Sequence, residues 1–192
     1  MHHRKKGRDK RRQSEIWAPP EGRWPYLHAV YAKPDWDLML FHPRPRFPDF
    51  DFITPSLATG GFIKNEAELD ALRAAGITHV VNTSSEVTDE GQLFADSGIE
   101  FLFNPTYDDY HWKDPEWFDR TANFAAPAIR NGGKVLAHCL EGVNRGPSSA
   151  YYVLRVLGMD GDEAFAMIKG ARARAKVFYR EDADHAWGKR VA

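Results

Sequence analysis

The run "KVLAHCLEGVNRGPSS", residues 134–149, limits the fold of this chain more than any other stretch. "KVLAH" reads as a short buried strand, because its apolar centre offers no polar face to water. It leads directly into Cys139 and a loop that turns at Gly142. Pro147 then marks the opening of a helix that runs to about Leu157 and closes at Gly158. A buried strand, a tight loop and a helix form the repeating half of a parallel sheet, which needs cover on both faces.

The surrounding sequence supplies that cover. "NEAELDALRAAG" predicts a helix with Asn65 as N-cap, Glu68 completing a capping box and Gly76 at the end. "ITHVVN" (77–82) and "IEFLFN" (99–104) read as strands, with a short helix at about 89–97 between them. "DPEWFDRTANFAAPAIRNGG" predicts a helix with Asp114 as cap and Pro115 at its first position, and Pro127 predicts a kink or break near Ala126. Asp160 and Glu163 open a further helix to about Gly170, and the C-terminal stretch reads as partly helical. The expected fold is therefore α/β, with a parallel-cored sheet flanked by helices on both faces.

The first fifty residues do not follow this pattern. Residues 1–12 hold seven Lys or Arg against one Asp, so the net charge of −1 conceals an acidic body of −7. This stretch is expected to be a disordered basic tail, with no nucleic-acid contact beyond a non-specific one. Residues 13–50 carry seven of the twelve prolines and many aromatics, among them Trp17, Trp24, Tyr26, Tyr31 and Trp36. They read as an extended arm laid over a catalytic body of residues 51–192. No apolar run reaches membrane-spanning length, and a single cysteine excludes an internal disulfide. Both point to a soluble, cytoplasmic setting without a membrane partner.

The loop's residue types imply a chemistry. It leaves the carboxyl end of a strand, where ligands bind in such sheets. Its amides can converge with the positive end of the following helix, making an anion site of phosphate size. A cysteine at its mouth would have its thiolate stabilised by those groups. Arg145, at the far end, can grip two phosphoryl oxygens with its planar fork. Gly142 lets the backbone curl, and His138 is read as orienting the loop.

"HCLEGVNRGPS" resembles the HCxxGxxR signature of cysteine-dependent protein tyrosine phosphatases, closest to the small dual-specificity phosphatases. "ITPSLATGGFIKNEAELDALRAAGITHVVNTSSE" and "FLFNPTYDD…WFDRTANF…GKVLAHC" extend the resemblance over roughly residues 51–170. It implies that Cys139 attacks phosphorus and forms a cysteinyl-phosphate. It further implies that Arg145 and the amides of Leu140, Glu141, Gly142, Val143, Asn144 and Arg145 hold the phosphoryl group. An aspartate after "FLFNP" would protonate the leaving oxygen, and the resemblance implies no metal or cofactor. Counting back from Phe118 favours Asp108, with neighbouring Asp109 as the alternative; repulsion between the two would raise one pKa. The family usually places Ser or Thr after the arginine, where its hydroxyl eases departure of the sulfur. Gly146 stands there instead, read as the helix cap, and Ser148 or Ser149 is a candidate replacement donor.

The loop carries no lysine and includes Glu141, which favours phosphoprotein over polyphosphorylated inositols. Asn144 reads either as a support for the loop or as a residue that tolerates a tight turn. Arg172, Arg174, Lys176 and Arg180 read as a solvated face or as a contact for an acidic substrate. Two other classes stay open. One is a phospho-residue-binding pseudophosphatase with weak turnover, and the other is a rhodanese-type sulfurtransferase.

Overall fold

Five strands form one sheet in the order β1-β2-β5-β3-β4. The computed structural model describes residues 48–87 and 90–192. The basic tail and nearly all of the Pro/aromatic-rich arm, expected over 1–12 and 13–50, lie outside the described residues. β1 (Phe50–Thr54) and β2 (Leu57–Gly60) make an antiparallel pair. β2 then runs parallel to β5 (Val135–His138), β5 to β3 (His79–Ser84), and β3 to β4 (Glu100–Thr106). The parallel core is as expected, with one antiparallel edge added. The sheet itself begins at Phe50, one residue inside the stretch read as arm.

Strand periodicity divides the core in two. Ala58, Leu136 and Val80 lie in one row across three strands and pack with Leu69, Leu72, Phe94 and Ile99. That side is covered by α1 (Glu66–Ala74) and α2 (Glu90–Phe94). The neighbouring row, Leu57, Val135 and Ala137, faces the other way with Val81. It is covered by α3 (Pro115–Arg130), α4 (Arg145–Val156), α5 (Gly161–Ala171) and α6 (Arg180–Val191).

Asn65 caps α1 as expected, whereas Glu68 bonds the amide one residue before the cap and not that of Asn65 itself. Asn65 Oδ1 accepts from the Glu68 amide at 3.1 Å, and Glu68 reaches back to the Lys64 amide at 2.6 Å. Gly76 takes a left-handed φ of +78° just past the C-cap Ala75. Two expectations for α3 need correction. Asp114 occupies the N-cap position but makes no side-chain capping bond. Pro127 does not break the helix, which continues to Arg130. The proline removes one bond in the last turn, where the buried Ala125, Ala126 and Ala128 pin the helix to the core. α4 also starts two residues earlier than Pro147 suggested. Gly146 therefore lies inside its first turn, with Asn144 at the N-cap.

Phe118 anchors α3 in the larger core cluster, fully buried with its ring 4.7 Å from Trp117 and 5.3 Å from Tyr152. Phe118→Ala should lower the unfolding free energy by about 3–5 kcal/mol in a urea titration with an unchanged slope.

Candidate active site

Three loops meet at the carboxyl ends of the parallel strands. β5 delivers Cys139 and Arg145, β3 runs out towards Glu86, and β4 leads to Asp108. β5 lies between β2 and β3 although it comes last in the chain. Its exit is thus the switch point where open α/β sheets form a crevice.

The signature loop is held by its carbonyls. Leu140 O accepts from the Phe62 amide at 3.1 Å, and Val143 O from the Lys176 amide at 2.7 Å. Gly142 O accepts from Arg172 Nε at 2.6 Å, Glu141 O from Arg172 Nη2 at 3.3 Å, and Asn144 O from the Ser148 amide at 2.8 Å. Among the described residues, none of the amides of residues 140–145 is a donor. Five carbonyls are satisfied on one side, which leaves six amides for something else. Gly142 has φ +62°, and a Cβ there would collide with the backbone of Gly60. Glycine is therefore needed twice, for the turn and for the close approach.

Arg172 sits beneath this loop, nearly inaccessible. Its Nη1 pairs with Asp51 at 2.8 Å and its Nη2 also with Asp49 at 2.9 Å, and Arg174 joins Asp49. Arg180 pairs with Asp162 and Tyr151. Of the cluster read as a solvated face or substrate contact, Arg172 is instead an internal brace, and Arg174 and Arg180 are engaged within the protein.

Arg145 is also fixed, by a residue that the sequence alone did not single out. Nη1 and Nη2 form a fork on Glu86, at 2.6 and 2.9 Å, and Nη1 also donates to Thr106 O at 2.9 Å. A guanidinium has five N–H donors. The two left over, Nε–H and one Nη2–H, lie on the same edge, and buried Nε has no hydrogen-bond partner among the described residues. That edge is a side-on fork without a hydrogen bond, the shape that matches two oxygens of one phosphoryl group. Burial disfavours the Arg145 charge, but Glu86, Cys139 and Asp108 outweigh it and raise its pKa. The hydrogen bond from Arg145 holds the Glu86 carboxyl below its ordinary value, against partial burial. The signal for Glu86 was present in the sequence, as the acid that follows the strand "HVVNTS".

The two candidate acids diverge. Asp108 turns into the site: Oδ1 accepts from Asn144 Nδ2 at 2.6 Å and from the Tyr179 hydroxyl at 3.1 Å, and Oδ2 lies 3.5 Å from Arg145 Nε. Asp109 turns away to Lys113, at 2.6 Å, and to His111. Burial would raise the Asp109 carboxyl. The Lys113 and His111 contacts prevail and bring it down to about 2. The expected repulsion between the neighbours therefore does not raise Asp109.

Cys139 is buried, and His138 is buried behind it with Nδ1 3.5 Å from Cys139 O. The carbonyl of His138 accepts from Thr83 at 2.7 Å. Ser148 Oγ donates to Asn144 Oδ1 at 3.3 Å, and Ser149 Oγ to Gly146 O at 2.9 Å. Each hydroxyl has one proton, so neither serine donates to the sulfur here. The reason is packing: Ser148 faces the segment that carries Tyr179, whose amide donates to it at 3.4 Å. A Cβ on Gly146 would lie 3.0 Å from the backbone of His138, so α4 packs too closely on β5 to admit a side chain there without adjustment.

A sequence model of the dual specificity phosphatase catalytic domain matches residues 62–180. This protein belongs to the dual specificity phosphatase family. It is 31% identical over 132 residues to the tyrosine-protein phosphatase vhp-1 of Caenorhabditis elegans, covering 67% of this chain and 19% of that protein. Human dual specificity protein phosphatase 8 is 29% identical over 121 residues, 62% of this chain and 19% of that one. The matches thus span about a fifth of these relatives. A mouse putative dual specificity phosphatase, solved as a complex with zinc tungstate, superposes with a TM-score of 0.63 at 25% identity, covering 78% of this chain and 93% of that one.

Within this dual specificity phosphatase fold the brace has a measurable role. Arg172→Lys keeps one charge but cannot span two carbonyls and two carboxylates. Vanadate or inorganic phosphate affinity, read by titration calorimetry, should fall roughly tenfold, the scale of one lost charged hydrogen bond.

Asp109 yields a pH prediction. Its folded pKa of about 2 lies below the ordinary 3.8, so its contribution to stability is complete above about pH 4 and is lost as pH falls towards 2. Melting curves of wild type and Asp109→Asn should differ at neutral pH and converge over that window.

Proposed function

We propose that this protein is a protein phosphatase that works through a cysteinyl-phosphate on Cys139. The observation that carries the reading is the donor count at the signature loop. Among the described residues, six backbone amides and one buried guanidinium edge are left without hydrogen-bond partners around a cysteine, at a helix N-terminus. That set matches a phosphoryl dianion in size and charge.

In the first step the Cys139 sulfur attacks phosphorus. The S–P bond forms as the bond from phosphorus to the leaving oxygen breaks, and Asp108 gives that oxygen its proton. The Arg145 edge and the loop amides hold the three equatorial oxygens. In the second step water attacks phosphorus and gives its proton to Asp108. The S–P bond breaks and inorganic phosphate leaves. Glu86 keeps the Arg145 edge turned to the site without occupying it.

Several features support a phosphoprotein substrate. Tyr107, Tyr110 and Trp112 follow β4 around Asp108, Leu140 follows Cys139, and all four are exposed. Exposed apolar side chains beside the acid and the nucleophile suit a polypeptide. Glu141 and Glu86 lie exposed at the same end, and no lysine occurs in the loop. That electrostatic setting disfavours a headgroup with several phosphates.

With Gly146 lacking a hydroxyl and both nearby serines donating elsewhere, departure of the sulfur is the slow step. Rapid mixing with p-nitrophenyl phosphate should release a burst of nitrophenol equal to the enzyme concentration, followed by slower turnover. Cys139→Ser should show neither phase while still binding vanadate. Steady turnover by that variant above roughly one-tenth of wild type would remove Cys139 from the mechanism.

A further inference from the structure

Asn144 has an unusual freedom. It stands at the N-cap of α4, where an Asn side chain ordinarily accepts from the amide of the second or third helical residue. The third residue here is Pro147, which has no N–H, and the Asn144 side chain makes no capping bond. The carboxamide is instead buried and committed on both ends. Its Oδ1 accepts from the Phe178 amide at 2.8 Å and from Ser148 Oγ at 3.3 Å. An oxygen facing two donors fixes the orientation of the amide, so Nδ2 must point the other way. It points to Asp108 Oδ1, at 2.6 Å.

Tyr179 adds a second donor to the same oxygen, at 3.1 Å. Its hydroxyl also accepts from the Tyr110 amide at 3.2 Å, which leaves its single proton for the acceptors on its other side. Tyr107 O lies farther away, at 3.4 Å. Burial, reinforced by the nearby Asp108 charge, holds the phenol well above its ordinary pKa, so it remains a donor. Trp117 and Lys113 flank its ring and hold it in place.

The two carboxyl oxygens of Asp108 are therefore unequal. We propose that Asn144 and Tyr179 are positioning residues that occupy Oδ1, so that Oδ2 is the atom that carries the catalytic proton. Oδ2 is the oxygen 3.5 Å from Arg145 Nε, on the side where the phosphoryl group is gripped. The proton moves from Oδ2 to the leaving oxygen in the first step and returns to Oδ2 from water in the second. This rests on the phosphatase reading above and adds to it which atom acts and what aims it. The residue before the signature arginine thereby ties the acid loop to the phosphate loop.

The test is leaving-group selectivity. Phenyl phosphate needs a proton on departure, and p-nitrophenyl phosphate needs one far less. Asp108→Asn should lose about a hundredfold more kcat/KM on the first than on the second. Asn144→Ala and Tyr179→Phe should each lose in the same direction, by roughly tenfold, the scale of one hydrogen bond to a charged group. In the Asp108→Asn background neither change should add selectivity, since its target is already gone. Equal losses on both substrates, or effects that add to Asp108→Asn, would show a merely structural role and overturn the proposal. Tyr179→Phe removes only an oxygen and keeps the packed ring, so it gives the same readout if Asn144→Ala does not fold. If Asp108→Asn shows no selectivity, the acid assignment and this proposal fall together. The cysteine reading is judged separately, by the burst.

Discussion

A loop can turn six amides towards one point only if its carbonyls are satisfied on the other side. In this protein Arg172 meets that condition for two of the five, the carbonyls of Glu141 and Gly142, and is itself neutralised by Asp49 and Asp51. An unpaired buried guanidinium would be costly, and so would two unsatisfied buried carbonyls. Each removes the other's cost. The close approach of Gly142 to Gly60 completes the arrangement by bringing β2 against the loop.

The remaining charges follow a similar logic. Arg145 must be held firmly yet keep one edge free, and Glu86 with Thr106 O takes only the three donors that point away from the site. Asp108 and Asp109, adjacent in sequence, take different partners. Lys113 pairs with Asp109 and turns it away from the site, while Asn144 and Tyr179 bond Asp108 on the inner side. The segment 172–179, between α5 and α6, ties these parts together. It supplies Arg172 and Tyr179, and its Lys176 and Phe178 amides meet the loop at Val143 and Asn144.

Much of the fold was legible locally. Capping at Asn65 and Glu68, the apolar strands at 79–84 and 135–138, and the Cys139-to-Arg145 spacing are short-range features, and short-range physics governs them. What failed was also specific. Pro127 signalled a kink or break near Ala126, and the helix runs on unbroken to Arg130. Pro147 suggested the helix start, although a proline is tolerated anywhere in the first turn, and α4 begins at Arg145. Ser148 and Ser149 were candidate donors to sulfur until the helix phase turned both hydroxyls elsewhere. Arg172 stood in a basic run that resembles a solvated face, and nothing in the run itself distinguishes the buried member.

By itself the sequence determined the parallel α/β frame, the strand-loop-helix unit around Cys139 and the residue types of an anion site. Each depends on contacts within a few residues or on periodicity along one element. Only the tertiary structure decided that Glu86 holds Arg145 across 59 residues, that Arg172 reaches Asp49 across 123, and that Asn144 and Tyr179 bond Asp108 and not its neighbour. Those pairings join residues far apart in the chain. Ionic and hydrogen-bonding partners at such separations leave no local periodicity, because their geometry is set by how the strands and helices pack.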